Sequence, residues 1–218
     1  MALTDGDEHG RGLDRSVSFS DAVFAIAITL LVLSFRLPNV PSHGADARLL
    51  DDLMDESGTF FGFAVSFYVI ARYWMTHHRL SILLRQVDST FVGLNLVLLA
   101  SVVFLPFPTE VMGNYGNTRT AVVFYGLAMT VTGLLSTCVW QYASVRGLMD
   151  PRVTPEWRRA VLIRGLSVPA VFASSVAIAF VSPTVAPYWW LLLVLQRPVF
   201  RRLLPGLDDP FGSPARNG

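Results

Sequence analysis

The chain has 218 residues, of which 52% are hydrophobic and only 15% charged, with a formal net charge of +1. A soluble domain carries about 25% charged residues, so this composition cannot cover a water-facing surface, and the mean hydropathy of +0.48 points the same way. The chain reads as an integral membrane protein; with 17 basic against 16 acidic residues it has no basic field for a nucleic acid, and none is expected as a partner.

Residues 1–14 carry Asp5, Asp7, Glu8 and Asp14 beside Arg11. That is not the basic head of a signal peptide, so the apolar stretch that follows reads as a retained span and residues 1–14 as a cytoplasmic N-terminal segment. A spanning helix needs roughly 20 mostly apolar residues. Six segments qualify as candidates: 16–37, 58–78, 89–107, 120–142, 160–181 and 187–200. Pro106 and Pro108 are expected to end the third, and Pro169 to kink the fifth. The sixth is short and interrupted by Arg197 and Pro198, so its span is the least defined. Residues 15–204 form the membrane domain in this reading, and 205–218 a disordered cytoplasmic tail.

The arginines segregate between alternate loops. One side holds Arg11, Arg15, Arg79, Arg85, Arg146, Arg152, Arg158, Arg159, Arg201 and Arg202. The other holds Arg48 and Arg119 against Asp46, Asp51, Asp52, Asp55, Glu56 and Glu110. Positive charge stays in the cytoplasm, so both termini are expected there, in a multi-pass protein of the cell membrane. Cys138 is the single cysteine; it can form no intrachain disulfide and reads as a small core residue.

The first span opens with a polar head, Arg15 to Asp21, and then turns apolar from Ala22 to Leu33 with Thr29 as its one polar residue. Ile26, Leu30 and Leu33 are spaced i, i+4, i+7 and share one helical stripe, which Phe19 and Leu37 extend. Thr29 lies on its flank. Ala22, Ala25 and Ala27 are small and let neighbouring helices come close. Such a stripe fits ordinary packing in a bundle, and it equally fits a ring of aliphatic side chains around a pore axis. Arg15 and Asp21 point too far apart on a helix to pair with each other. An ionised carboxylate at the membrane edge needs partners; Arg72, His77 and His78 of the second span and Asn95 of the third lie at the same depth. The polar head is then either a structural clamp or a functional site.

Arg15-x-x-x-Phe19-Ser20-Asp21 followed by "AVFAIAITLLVL" resembles the signature of the transmembrane protein 175 family of potassium-permeable channels. "YWMTHHRL" and "VDSTFVGLNLVLLASVVFLPFPTEVMGNY" are similar to that family's second and third helices. The resemblance covers about residues 11–120. It implies an all-α protein of six transmembrane helices, one repeat per chain, assembled as a homotetramer with the first helices lining a central pore. Family constriction positions fall on Ile26, with Leu30 and Leu33 as further layers, and Thr29 on the position tied to selectivity. Arg15, Phe19, Ser20 and Asp21 are implied to tie the pore helix to Trp74, His77 or His78, and Asn95.

The function expected is a potassium-permeable cation channel with a modest preference for K⁺ over Na⁺. No "TVGYG"-like carbonyl filter occurs; aliphatic rings can instead narrow and dewet a path. The permeating K⁺ is the only ion expected, and no cofactor, metal site or soluble partner beyond the lipid bilayer and the homotetramer is expected. No G-x-S-x-G, H-E-x-x-H or Walker glycine loop occurs, so an enzyme is not expected. The alternative is a proton-coupled transporter, or a proton-permeable channel, using Asp21 with His77 or His78, since histidine changes charge near physiological pH.

Overall fold

A computed structural model describes residues 5–35, 49–51, 53, 54, 56–203 and 210. Almost all of them are helical. The helices in chain order are α1 (Asp5–Leu30), α2 (Ser57–Leu83), α3 (Ser89–Phe104), α4 (Pro106–Tyr115), α5 (Arg119–Val145), α6 (Pro155–Val181) and α7 (Leu192–Leu203). A 3-10 turn over Leu31–Ser34 tightens the end of α1, and another over Ala186–Leu191 precedes α7.

Side-chain caps set several helix starts. Asp88 Oδ1 accepts from Phe91 N at 2.7 Å, Thr118 Oγ1 from Ala121 N at 3.3 Å and Thr154 Oγ1 from Trp157 N at 3.3 Å. Each satisfies a backbone donor that a helix leaves open. Pro155 follows Thr154 at the first helical position, where its missing N–H is not needed. The second oxygen of Asp88 accepts from the Tyr142 hydroxyl at 2.7 Å, which fastens the start of α3 to the end of α5. The Phe91 amide, the Tyr142 hydroxyl and the charge of Arg146 hold the Asp88 carboxyl below its ordinary range.

Among the described residues, four helical stretches are long and apolar enough to cross a membrane: Gly12–Ser34, Ser89–Tyr115, Arg119–Val145 and Pro155–Val181. In the second of these α3 ends at Phe104, just before Pro106 as expected, while the helical stretch as a whole runs on to Tyr115. The chain stays near-helical through Leu105 (φ −58°, ψ −33°), and Pro106 starts α4 directly, because a proline fits the first turn of a new helix. α1 begins at Asp5, well before the expected start at residue 16. The sixth expected span is a 3-10 turn followed by the 12-residue α7, and it is not among the four. Nor is α2, which carries Tyr68, Arg72, Tyr73 and Trp74 along its middle. Leu37 lies outside the described residues, as does the 205–218 tail apart from Pro210.

Close packing between α5 and α6 organises the bundle. A Cβ on Gly126 would meet Val176 Cγ2 at 2.9 Å, and one on Gly133 would meet the Tyr73 hydroxyl at 2.8 Å and Pro169 Cδ at 2.9 Å. Small residues let these backbones approach, and Pro169 sits within α6 opposite Gly133. Buried hydroxyls hold the other end of the bundle. Ser66 on α2 lies 2.8 Å from Thr109 Oγ1 on α4 and 2.9 Å from the Tyr125 hydroxyl on α5. Trp190 Nε1 donates to Ser175 Oγ at 2.9 Å, and Gln196 Nε2 donates to the Ser167 carbonyl at 3.2 Å, so α7 returns along α6. Cys138 is exposed on α5, not in the core as expected; the face it shares with Val131 and Leu134 is apolar and faces outward.

Candidate functional site

The polar head of α1 is pinned on two sides. Asp21 Oδ1 accepts from Trp74 Nε1 on α2 at 2.9 Å. Ser20 points about 100° away on the helix; its hydroxyl donates to the Ser16 carbonyl at 2.8 Å and accepts from Asn95 Nδ2 of α3 at 2.9 Å. Two consecutive residues therefore fix α1 against two different helices, in both translation and rotation.

The two histidines take different places. His77 is buried, with its ring 5.6 Å from that of Phe24. His78 is exposed and stacks on Trp74, rings 5.5 Å apart and 26° from parallel. Asp21, Trp74 and His78 thus form one row. Arg72 does not join it. Its NH1 donates to the Tyr68 hydroxyl at 3.2 Å, on the side of α2 turned from α1. Arg15 is exposed and lines a groove between α1 and α3 with Phe19, Val92, Asn95 and Leu96. Asn95 is 2% exposed, and among the described residues its Oδ1 has no hydrogen-bond partner.

Clamping fixes which face of α1 turns outward. Ser20, Phe24, Ala27 and Leu31 are fully buried. The opposite face carries Ala22, Ala25, Ile26, Thr29 and Leu33, all exposed, with Ile26 at 56% and Leu33 at 70%. Phe19, exposed, stands at its polar end. Leu30 is half-buried at the edge of this face. Thr29 lies on the face, and its hydroxyl donates to the Ile26 carbonyl at 2.8 Å, which leaves its oxygen open to a donor or a cation.

In the sequence the stripe centres on Ile26, Leu30 and Leu33, and Ala22 and Ala25 read as packing residues. In the structure the exposed line runs through Ala22, Ile26, Thr29 and Leu33. The signal for it is present, since residues 22, 26, 29 and 33 keep i, i+4, i+7, i+11 spacing. Size alone selects the large aliphatics and passes over the alanines. Chemically the face offers an apolar strip with one hydroxyl. Among the described residues no group of three His, Cys, Asp or Glu is placed to hold a metal.

A family profile described as the endosomal/lysosomal potassium channel TMEM175 matches residues 15–106, the segment that contains α1 from Arg15 onward, α2, α3 and every residue of the clamp. A potassium channel of Streptomyces collinus is 34% identical over 173 residues, covering 77% of this chain and 82% of that one. The endosomal/lysosomal proton channel TMEM175 of Homo sapiens is 23% identical, covering 72% of this chain and 32% of that one. The crystal structure of a lysosomal potassium-selective channel TMEM175 homolog from Chamaesiphon minutus superposes with a TM-score of 0.74 at 26% identity, covering 87% of this chain and 97% of that one.

Proposed function

The chain belongs to the TMEM175 family of membrane ion channels, and we propose that it is a potassium-permeable channel whose ion path is lined by the exposed face of α1. The observation that carries this reading is the clamp. Asp21 and Ser20 hold α1 so that Ile26, Thr29 and Leu33 face outward while Phe24 and Leu31 are buried. Four copies around an axis would place these faces together, as a homotetramer with residues 15–204 as the channel domain. α2 and the segment from Ala186 to Leu203 complete six helices per chain. The Arg-rich ends then lie in the cytoplasm of a cell-membrane protein, with both termini.

Ile26 forms the narrowest ring in this assembly and Leu33 a second, while half-buried Leu30 supports the wall between them. Aliphatic rings cannot replace a whole hydration shell; they gate by narrowing and dewetting. An ion passing them sheds part of its water, which is cheaper for K⁺ than for Na⁺, so the preference is modest. The open lone pairs of the Thr29 hydroxyl offset part of the lost hydration. Arg15, Phe19, Ser20, Asp21, Trp74, His77, His78 and Asn95 orient the pore helix and touch no ion.

Proton permeation through the same path is a second reading, favoured by the proton-channel name of the human relative and by Asp21 standing near two histidines. Trp74 weakens it as a relay, because an indole N–H donates and cannot accept. The test of both readings is a bi-ionic reversal potential on purified protein in planar bilayers, K⁺ against Na⁺, at two pH values. The potassium reading expects reversal in favour of K⁺, little moved by pH, with Ile26→Asn bringing the permeability ratio towards about 1. Reversal that follows the proton gradient supports the second reading. A selectivity indifferent to Ile26→Asn removes Ile26 from the constriction.

A further inference from the structure

A cavity lies on the side of α2 away from α1, where the second half of α2 meets the end of α5 and the start of α6. Its volume is about 60 Å³, and it opens to the surface. Its wall includes Arg72, Thr76 and Arg79 from α2, Ser136 and Trp140 from α5, and Arg164 from α6. Arg72, Thr76 and Arg79 recur at i, i+4, i+7, so they form one helical face.

This wall is rich in donors. Arg72 is only 6% exposed, and its hydrogen bond to Tyr68 uses one of its five N–H groups. A buried guanidinium is ordinarily matched by a carboxylate, yet among the described residues no carboxylate lines the cavity. Trp140 is 3% exposed, and among the described residues its indole N–H has no acceptor. An orphaned buried donor is rare and costly. Buried positive charge, a second arginine at the mouth and an unmatched N–H require the same thing, an acceptor with negative charge. A phosphate group supplies several strong acceptor oxygens and pairs well with guanidinium.

We propose that this cavity binds a phosphate-type anion, presented either by the headgroup of an anionic phospholipid or as free phosphate. Its place at the Arg-rich end, where anionic headgroups meet basic pockets between helices, suits the first source. The site is separate from the α1 face, because Trp74 and His77 turn towards α1 while Arg72 and Thr76 turn towards α5 and α6. Occupancy would brace the junction of α2, α5 and α6.

The experiment uses the purified full-length protein in uncharged detergent with two probes. Inorganic phosphate is titrated while thermal unfolding is followed, and native mass spectrometry counts retained phosphatidylglycerol against phosphatidylcholine. Arg79→Gln removes an exposed charge, and Trp140→Phe removes the N–H with the pyrrole part of the indole, keeping a six-membered ring to pack on Trp157, 5.1 Å away. The proposal expects selective retention of phosphatidylglycerol, weakened about 10-fold by Arg79→Gln and about 3-fold by Trp140→Phe, with unfolding in the absence of anion unchanged for Arg79→Gln and each variant's anion effect measured against its own anion-free midpoint. A stabilisation by phosphate alone that both variants reduce assigns the site to the free anion and equally supports it. No binding of either probe, or binding that both variants leave intact, overturns it. Should Arg79→Gln not fold, Trp140→Phe decides alone.

Discussion

Asp21 sets the rotation of α1 through one hydrogen bond, to Trp74. Trp74→Phe keeps an aromatic ring beside His78 and deletes the donor with the pyrrole part of the indole. It is expected to lower the stability of the assembled protein by about 1–2 kcal/mol, read as a fall in the thermal midpoint, with ion preference retained. Asp21→Asn should behave alike. A well-assembled Asp21→Asn protein with altered selectivity would instead put Asp21 in the ion path. Asp150 gives a second test, outside the membrane. It binds Arg152 through both oxygens at 3.1 and 2.9 Å, accepts from the Arg152 amide, and pairs with Arg85 at 3.3 Å. Arg152, by hydrogen bonds first and charge second, holds the Asp150 carboxyl well below the usual carboxylate range. The folded value is depressed, so its stabilisation is complete above about pH 4 and fades as pH falls through the folded value. Asp150→Asn should therefore melt below the wild type at pH 7, and the gap should shrink as unfolding is repeated at successively lower pH below 4. At this scale the polar head of the first helix is legible in the sequence, since charge there is conspicuous. That Arg72 turns from Asp21 to Tyr68 is not, because depth in the membrane does not fix which face of α2 a residue occupies.

Helix packing depends on small residues whose worth differs by position. Gly133 faces the Tyr73 hydroxyl and the Pro169 ring. Gly133→Ala would force a Cβ within 2.9 Å of both, and neither a packed proline nor a hydroxyl bonded to the Met129 carbonyl can easily withdraw. A loss of about 1–3 kcal/mol is expected. A Cβ on Gly93 meets nothing within 4 Å, so Gly93→Ala should leave stability unchanged or raise it by up to about 1 kcal/mol. Parallel thermal unfolding of the two variants checks the contrast. In the sequence Gly93 and Gly133 look alike, each a lone glycine in an apolar run; only the tertiary neighbours separate them. The same holds for proline. Pro106 reads as a terminus, and its effect depends on whether the preceding residue keeps helical angles, as Leu105 does. The caps are legible in principle, since Asp88, Thr118 and Thr154 each stand just before a helical run. The weakest span in the sequence, residues 187–200, is also the one the structure divides, because Pro187 favours a tight turn before the helix can start at Leu192.

For the whole molecule, hydropathy and arginine placement make a helical membrane protein legible without any motif. They do not distinguish an apolar face that meets lipid from one that meets a pore, since both exclude charge. That distinction rests on assembly. The central claim, that the Ala22–Ile26–Thr29–Leu33 face of α1 lines the ion path, is tested most directly by cysteine accessibility. Cys138 is first replaced by serine. A single cysteine is then placed at Ile26 and, in a separate control, at Val97, which is exposed on α3 and lies off α1. Potassium current is recorded during application of a charged thiol reagent. The account predicts that modification at position 26 blocks or sharply reduces the current and that modification at position 97 leaves it unchanged. Current that survives complete modification at position 26, confirmed by mass, would contradict it.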